Sequence, residues 1–126
     1  FFMSKKLKIF AVVPAYSEGT RISKVIKDLK KNNYNIIVVD DASSDNTVKV
    51  VKKFKNVLLV EQKVNLGQGA ALRVGIKRAL KSNADIVITF DADGQHQAKE
   101  IEELVKPIRE DLVDISLGSR FLTSRI

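Results

Sequence analysis

The sequence predicts an α/β domain with a mostly parallel sheet and helices on both faces. Three observations carry that prediction. Short β-branched runs alternate with amphipathic stretches, the runs are almost wholly apolar, and the acidic and glycine-bearing segments follow the strands instead of preceding them. Unbroken apolar runs suit strands covered on both faces. Regular β–α alternation implies parallel pairing through right-handed crossovers.

Strands are expected at Ile9 to Val13, Ile36 to Val39, Val57 to Val60, Ile86 to Phe90 and Val113 to Leu117. The first helix is read from Ile22, Val25, Ile26 and Leu29, spaced i, i+3, i+4, i+7, with Lys24, Lys27, Lys30 and Lys31 on the other side. Val50, Val51 and Phe54 mark a short second helix behind a Ser43-Ser44-Asp45 cap region. Leu72, Ile76, Ala79 and Leu80 mark a third, and Ile101, Leu104, Val105 and Ile108 a fourth, with Pro107 near its end. Residues 1–7 are set aside as a lead, because Phe1 and Phe2 stand ahead of Met3. No repeat, low-complexity tract or linker divides residues 8–126, which are read as one domain or one part of a domain.

Composition removes several classes of function. With no cysteine there is no disulfide framework, thiolate metal site or cysteine nucleophile, and the expected compartment is the cytoplasm. No apolar run approaches the roughly 20 residues a membrane-spanning helix needs. The net charge of +7 comes mostly from lysine and is read first as solvated helix faces. A basic surface near anionic lipid, at the cytoplasmic face of a membrane, is the second expectation. Nucleic acid is not an expected partner, because the basic residues are dispersed and only 6% of residues are aromatic, few for base stacking.

Ligands of open parallel sheets bind beyond the carboxyl ends of the strands. Those ends carry Pro14-Ala15-Tyr16-Ser17-Glu18, Asp40-Asp41-Ala42-Ser43-Ser44-Asp45, Gln62 with Asn65-Leu66-Gly67-Gln68-Gly69, Asp91-Ala92-Asp93-Gly94-Gln95-His96, and Gly118-Ser119-Arg120. The opposite edge offers little beyond lysine, asparagine and serine. Asp91 and Asp93, at i and i+2, can face one hard cation, and oxygen-only donors suit Mg²⁺ or Mn²⁺. The plainer alternative is a helix cap followed by an Asp-Gly turn. Asp40 or Asp41 can accept from a base N–H or from ribose hydroxyls, or can shape a turn. Gly67-Gln68-Gly69 reads equally as part of a phosphate cradle and as a tight turn that lets Ala70 and Ala71 approach the sheet. His96, the single histidine, is a pocket group or an exposed loop residue.

Together these segments resemble the inverting nucleotide-sugar glycosyltransferases of family 2, and most of all the polyprenyl-phosphate (dolichol-phosphate) mannose or glucose synthase type. The resemblance is carried by Val12-Val13-Pro14-Ala15-Tyr16-Ser17-Glu18, by Val38 to Thr47, by Asn65 to Ala70 with Gly75, by Asp91 to His96, and by Gly118-Ser119-Arg120. It implies the GT-A fold, Rossmann-like, and specifically its nucleotide-sugar-binding part over residues 8–126, with the acceptor part and any catalytic base lying beyond Ile126. It implies that Pro14, Ala15, Tyr16, Glu18, Asp40, Asp41, Gly69, Asp91, Ala92, Asp93 and Arg120 contact the nucleotide sugar. Asp91 and Asp93 would hold Mg²⁺ or Mn²⁺ on the donor diphosphate, with Gln95 as a further ligand. Ser17 stands where the family usually has asparagine, and Gln97-Ala98 where its metal motif usually runs on into proline.

The expected activity is hexosyl transfer from a nucleoside-diphosphate sugar, with a polyprenyl (dolichyl) phosphate as the favoured acceptor. A hydroxyl acceptor needs a carboxylate base, and none is left once these acids are assigned. A phosphate acceptor, with its second pKa near 6, is already largely ionised. The rival expectation is a non-catalytic, nucleotide-binding or self-associating part, with a homodimer formed through uncovered sheet edge or apolar surface. A nucleotidyltransferase would need a Gly-rich basic loop after the first strand. A phosphoryl-receiver domain would need its acidic pair there, and a dinucleotide oxidoreductase its glycine fingerprint. The Pro14-Ala15-Tyr16 turn supplies none of these.

Overall fold

The computed structural model describes residues 7–92, 116–118 and 123–125. Four parallel strands form the main sheet: β1 (Ile9–Ala15), β2 (Asn35–Asp40), β3 (Val57–Glu61) and β4 (Ile86–Thr89). Their order is β3-β2-β1-β4. The chain therefore winds outward in one direction from β1 to β3 and then returns to the far side of β1. Val13 sits opposite Val38, and Val12 opposite Thr89.

Helices α1 (Ile22–Lys31) and α2 (Thr47–Lys52) cover one face, and α3 (Gln68–Lys81) covers the other. Strand alternation makes this division. Ile9, Ala11, Val13 and Ala15 face α1, packing with Ile22, Val25, Ile26 and Leu29. Phe10 and Val12 face the opposite way, with Ile37, Val39, Ala71 and Ala79. The α1 spacing read from sequence is the buried set, and α1 ends with Lys30 and Lys31 in its last turn, where cations complement the exposed carbonyls.

Helix α3 departs from its expected pattern. Its buried residues are Ala71, Gly75 and Ala79, while Leu80 is 59% exposed. The cause is close approach. A Cβ on Gly75 would lie 2.2 Å from Val12 Cγ1 and 3.1 Å from Val39 Cγ2, so only a small stripe fits against the sheet.

The expected fifth parallel strand is corrected. Its described part, β5 (Ser116–Gly118), pairs antiparallel with β6 (Thr123–Arg125) in a separate two-stranded sheet. The apolar run signals a strand, but nothing within it specifies the partner. Phe54 lies past the end of α2, partly buried against the core. The fourth helix, expected from Ile101 to Ile108, lies outside the described residues.

Two glycines in α3 should respond oppositely to alanine. Gly75→Ala forces overpacking and is expected to cost about 1–3 kcal/mol. Gly69→Ala meets nothing within 4 Å and should stabilise by about 0.5 kcal/mol through helix propensity. Urea unfolding of both variants checks the pair.

Candidate functional site

Strand β1 ends in a way that opens the sheet. The Val12 carbonyl accepts from Phe90 N at 3.0 Å, on the β4 side, and the Ala15 carbonyl from Asp41 N at 2.9 Å, on the β2 side. Pro14, two residues beyond Val12, thus faces the β4 side past that strand's end at Thr89. No ladder donor is needed there, so a residue without an N–H fits a central strand. The chains leaving β1 and β4 diverge at this point.

A cleft of about 220 Å³ occupies the divergence, lined by Pro14, Ala15, Tyr16, Glu18, Asp41, Gln68, Ala71, Asp91 and Ala92. Seven of these were expected from sequence. Ala71 was not, and Gln68 was read only within the Gly67-Gln68-Gly69 segment, as part of a phosphate cradle or a tight turn; Gln68, Ala71 and Gly75 share one face of α3 at i, i+3, i+7, a spacing that carries the signal. Gln68 Nε2 donates to Asp91 Oδ1 at 3.3 Å. Tyr16 is 52% exposed, its ring open to solvent at the cleft. Glu18 Oε2 is enclosed without a hydrogen bond, 3.1 Å from Arg21 Nε in an ion pair that lacks hydrogen-bond geometry.

The two adjacent carboxylates of the second loop have separate partners. Asp41 accepts from Leu66 N and from Gly67 N, both at 2.8 Å. Gly67 has φ +96, a conformation that favours glycine, and caps α3 there. Asp40 is turned away from the cleft lining. It accepts from Ser43 N at 3.0 Å and from Ser43 Oγ at 2.6 Å. Gly69 does not line the cleft either. Asp93, Gln95, His96 and Arg120 lie outside the described residues.

The loop after β1 is held by side chains of the loop after β2. Ser43 Oγ accepts from Ser17 N at 2.8 Å, Thr47 Oγ1 from Glu18 N at 3.0 Å, and Asp45 Oδ2 from Gly19 N at 3.1 Å. Asp45 Oδ1 also accepts from the Thr47 hydroxyl and from Thr47 N, at 3.0 Å for the latter. Three successive amides are thereby fixed from across the sheet edge, positioning Tyr16 and Glu18. The Thr47 hydroxyl and then the Thr47 amide hold the Asp45 carboxyl below its ordinary value of 3.8, against an opposing effect of desolvation that outweighs the further help of the Gly19 amide.

The strand order is that of a doubly wound nucleotide-binding domain, with the cleft at the point where the winding reverses. The profile of the family described as Glycosyl transferase family 2 matches residues 10–125, and the chain belongs to that family. It is 47% identical over 118 residues to an uncharacterized protein of Methanocaldococcus jannaschii, covering 93% of this chain and 48% of that one. It is 38% identical over 135 residues to the UDP-N-acetylglucosamine–dolichyl-phosphate N-acetylglucosaminyltransferase of Methanococcus voltae, covering 94% of this chain and 53% of that one. The chain thus spans about half the length of these relatives. Glucosyl-3-phosphoglycerate synthase from Mycobacterium tuberculosis, solved with Mn²⁺, UDP-glucose and phosphoglyceric acid, superposes with a TM-score of 0.66 at 24% identity, covering 81% of this chain and 39% of that one. This last likeness establishes the GT-A, Rossmann-like fold.

Two measurements test the loop arrangement. Because the folded carboxyl of Asp45 sits below its unfolded value, its contribution is complete above about pH 4. That contribution is lost as pH falls through the folded value. Asp45→Asn should therefore flatten the acid side of a stability-versus-pH curve while changing its neutral plateau in one constant step. Ser17 adopts φ 53, a left-handed conformation that asparagine tolerates better than serine. Ser17→Asn should raise stability by about 0.5 kcal/mol, read as a higher thermal midpoint.

Proposed function

We propose that this chain forms the donor-binding part of a glycosyltransferase that moves a sugar from a nucleoside-diphosphate sugar to a polyprenyl (dolichyl) phosphate. The observation that carries this reading is the convergence of Tyr16, Glu18, Asp41 and Asp91 on one cleft at the winding reversal. Family membership supports it, as does the dolichyl-phosphate acceptor named for the Methanococcus voltae relative.

Tyr16 and Glu18 supply a ring face and an acceptor for the nucleoside. Asp41 shapes that side of the cleft while its carboxylate holds the loop before α3. Asp91 borders the diphosphate end. The donor set fits a hard divalent cation: Asp91 offers oxygen ligands at the cleft, and its amide neighbour Gln68 brings no competing charge. Asp91, with Asp93 and Gln95, would hold Mg²⁺ or Mn²⁺, and Arg120 would approach a phosphate. When bound, such a cation neutralises charge developing on the departing nucleoside diphosphate. The Mn²⁺ present with UDP-glucose in the Mycobacterium tuberculosis enzyme supports this assignment. An ionised acceptor phosphate needs no protein base for in-line attack, and no residue of this chain is assigned that role. Among the described residues no helix is long and apolar enough to cross a membrane. The dolichyl-phosphate acceptor named for the Methanococcus voltae relative supports an acceptor met at a bilayer surface, and we place it on the cytoplasmic side.

Isothermal titration with UDP, GDP and UMP, each with Mn²⁺, Mg²⁺ or EDTA, tests the reading. The expected result is diphosphate binding that requires metal, with Asp91→Ala reducing affinity in Mn²⁺ to that in EDTA. Metal-independent binding, or equal affinity of UMP and UDP, would overturn it.

A further inference from the structure

The exposed apolar side chains are not scattered. Of the large ones among the described residues, Val64, Leu66, Val74 and Leu80 fall in a single stretch, at 58%, 62%, 36% and 59% exposure, and only Tyr16 lies elsewhere. The same stretch, residues 62–84, carries Lys63, Arg73, Lys77, Arg78 and Lys81, and contains neither a carboxylate nor an aromatic residue. On α3, Arg73, Lys77 and Leu80 follow i, i+4, i+7, on the face opposite the buried stripe of Ala71, Gly75 and Ala79. The contrast with α1 is direct. That helix buries Ile22, Val25, Ile26 and Leu29, and its exposed Lys24 pairs with Asp28 at 3.3 Å.

An apolar surface interleaved with cations and free of acids fits a partner with anionic groups over an apolar interior. A second copy of the chain would set cations against cations. A single-stranded nucleic acid would want aromatic stacking platforms, which this stretch lacks. We infer that the outer face of α3, with the loop before it, docks this chain on an anionic lipid bilayer. Lys63, Arg73, Lys77 and Lys81 meet the headgroups, while Val64, Leu66 and Leu80 enter the headgroup boundary. Because Gln68 opens α3 and lines the cleft, docking brings the cleft mouth near the bilayer. The inference stands independently of nucleotide binding.

Sedimentation of the chain with vesicles tests it, using phosphatidylcholine alone and phosphatidylcholine with 30% phosphatidylglycerol (about one anionic lipid in three, enough for a strong surface potential). Binding to the anionic vesicles alone is expected. Arg73→Glu/Lys77→Glu should weaken it by well over roughly fivefold, and Val64→Ser/Leu66→Ser should weaken it clearly. Lys24→Glu/Lys27→Glu on α1 makes the same change in net charge and should have a much smaller effect. All these positions are exposed, and unchanged thermal midpoints confirm folding; Arg73→Gln/Lys77→Gln serves as the milder variant. No binding by the parent chain, equal losses from the α1 and α3 reversals, or indifference to Val64 and Leu66 would each overturn the proposal. So would a concentration-dependent dimer dissolved by Leu80→Ser.

Discussion

The rim of the cleft depends on two buried carboxylates side by side at the end of β2. Asp40 and Asp41 are 2% and 3% exposed, and a buried carboxylate is costly unless its oxygens accept hydrogen bonds. Successive residues of a strand point to opposite sides, so the two acids recruit different loops. Asp40 gathers Ser43, whose hydroxyl oxygen in turn receives the Ser17 amide. Asp41 gathers the Leu66 and Gly67 amides and so fixes the start of α3. Hydrogen bonds to charged groups contribute about 1.5–3 kcal/mol each, so one dipeptide anchors loops on both sides of the sheet. Residues far apart in sequence, Tyr16, Glu18 and Gln68, become neighbours because those loops converge.

The second constraint is the depth at which α3 sits. Ala71, Gly75 and Ala79 let the helix rest on Val12 and Val39. This closeness is what brings Gln68 to Asp91. Bulkier residues in that stripe would lift the helix and widen the cleft between its first turn and the end of β4. The small residues of α3 and the acids of β2 thus act on the same dimension of the site, one through packing and the other through hydrogen bonding.

Local order was legible in the sequence where a single element determines it. Four strands follow from their unbroken apolar runs, and the buried set of α1 follows from its i, i+3, i+4, i+7 spacing, because a helix residue shares its face with neighbours three or four positions away. The stripe on α3 was read only in part. Of the expected Leu72, Ile76, Ala79 and Leu80, Ala79 is buried and Leu72 packs against the core, while Leu80 is outside, because the buried positions are chosen by distance to the sheet. Asp40 and Asp41 were legible as a pair but not as individuals, because strand phase decides which one faces the cleft. The cap expected at Ser43-Ser44-Asp45 falls instead on Asn46, without a side-chain cap bond; Asp45 makes a local turn onto the Thr47 amide, and its bond to Gly19, 26 residues away, depends on two loops meeting. The run from Val113 to Leu117 announced a strand while its antiparallel partner, Thr123–Arg125, gave no comparable apolar signal.

Helix α3 joins these levels, because its two faces carry different demands. Its inner face is reduced to alanine and glycine by the sheet, so it cannot accommodate the large aliphatic side chains that an amphipathic helix ordinarily buries. Leu80 and Val74 are therefore left outside among Arg73, Lys77 and Lys81. A helix packed this closely moves with the sheet as one body, since small-residue contacts leave little room for sliding. Contact made on the outer face is then transmitted to the cleft as orientation and not as deformation. On the proposed docking, a bilayer bound by α3 would set the direction from which an acceptor arrives, while Asp41 and Gln68 hold the rim of the cleft.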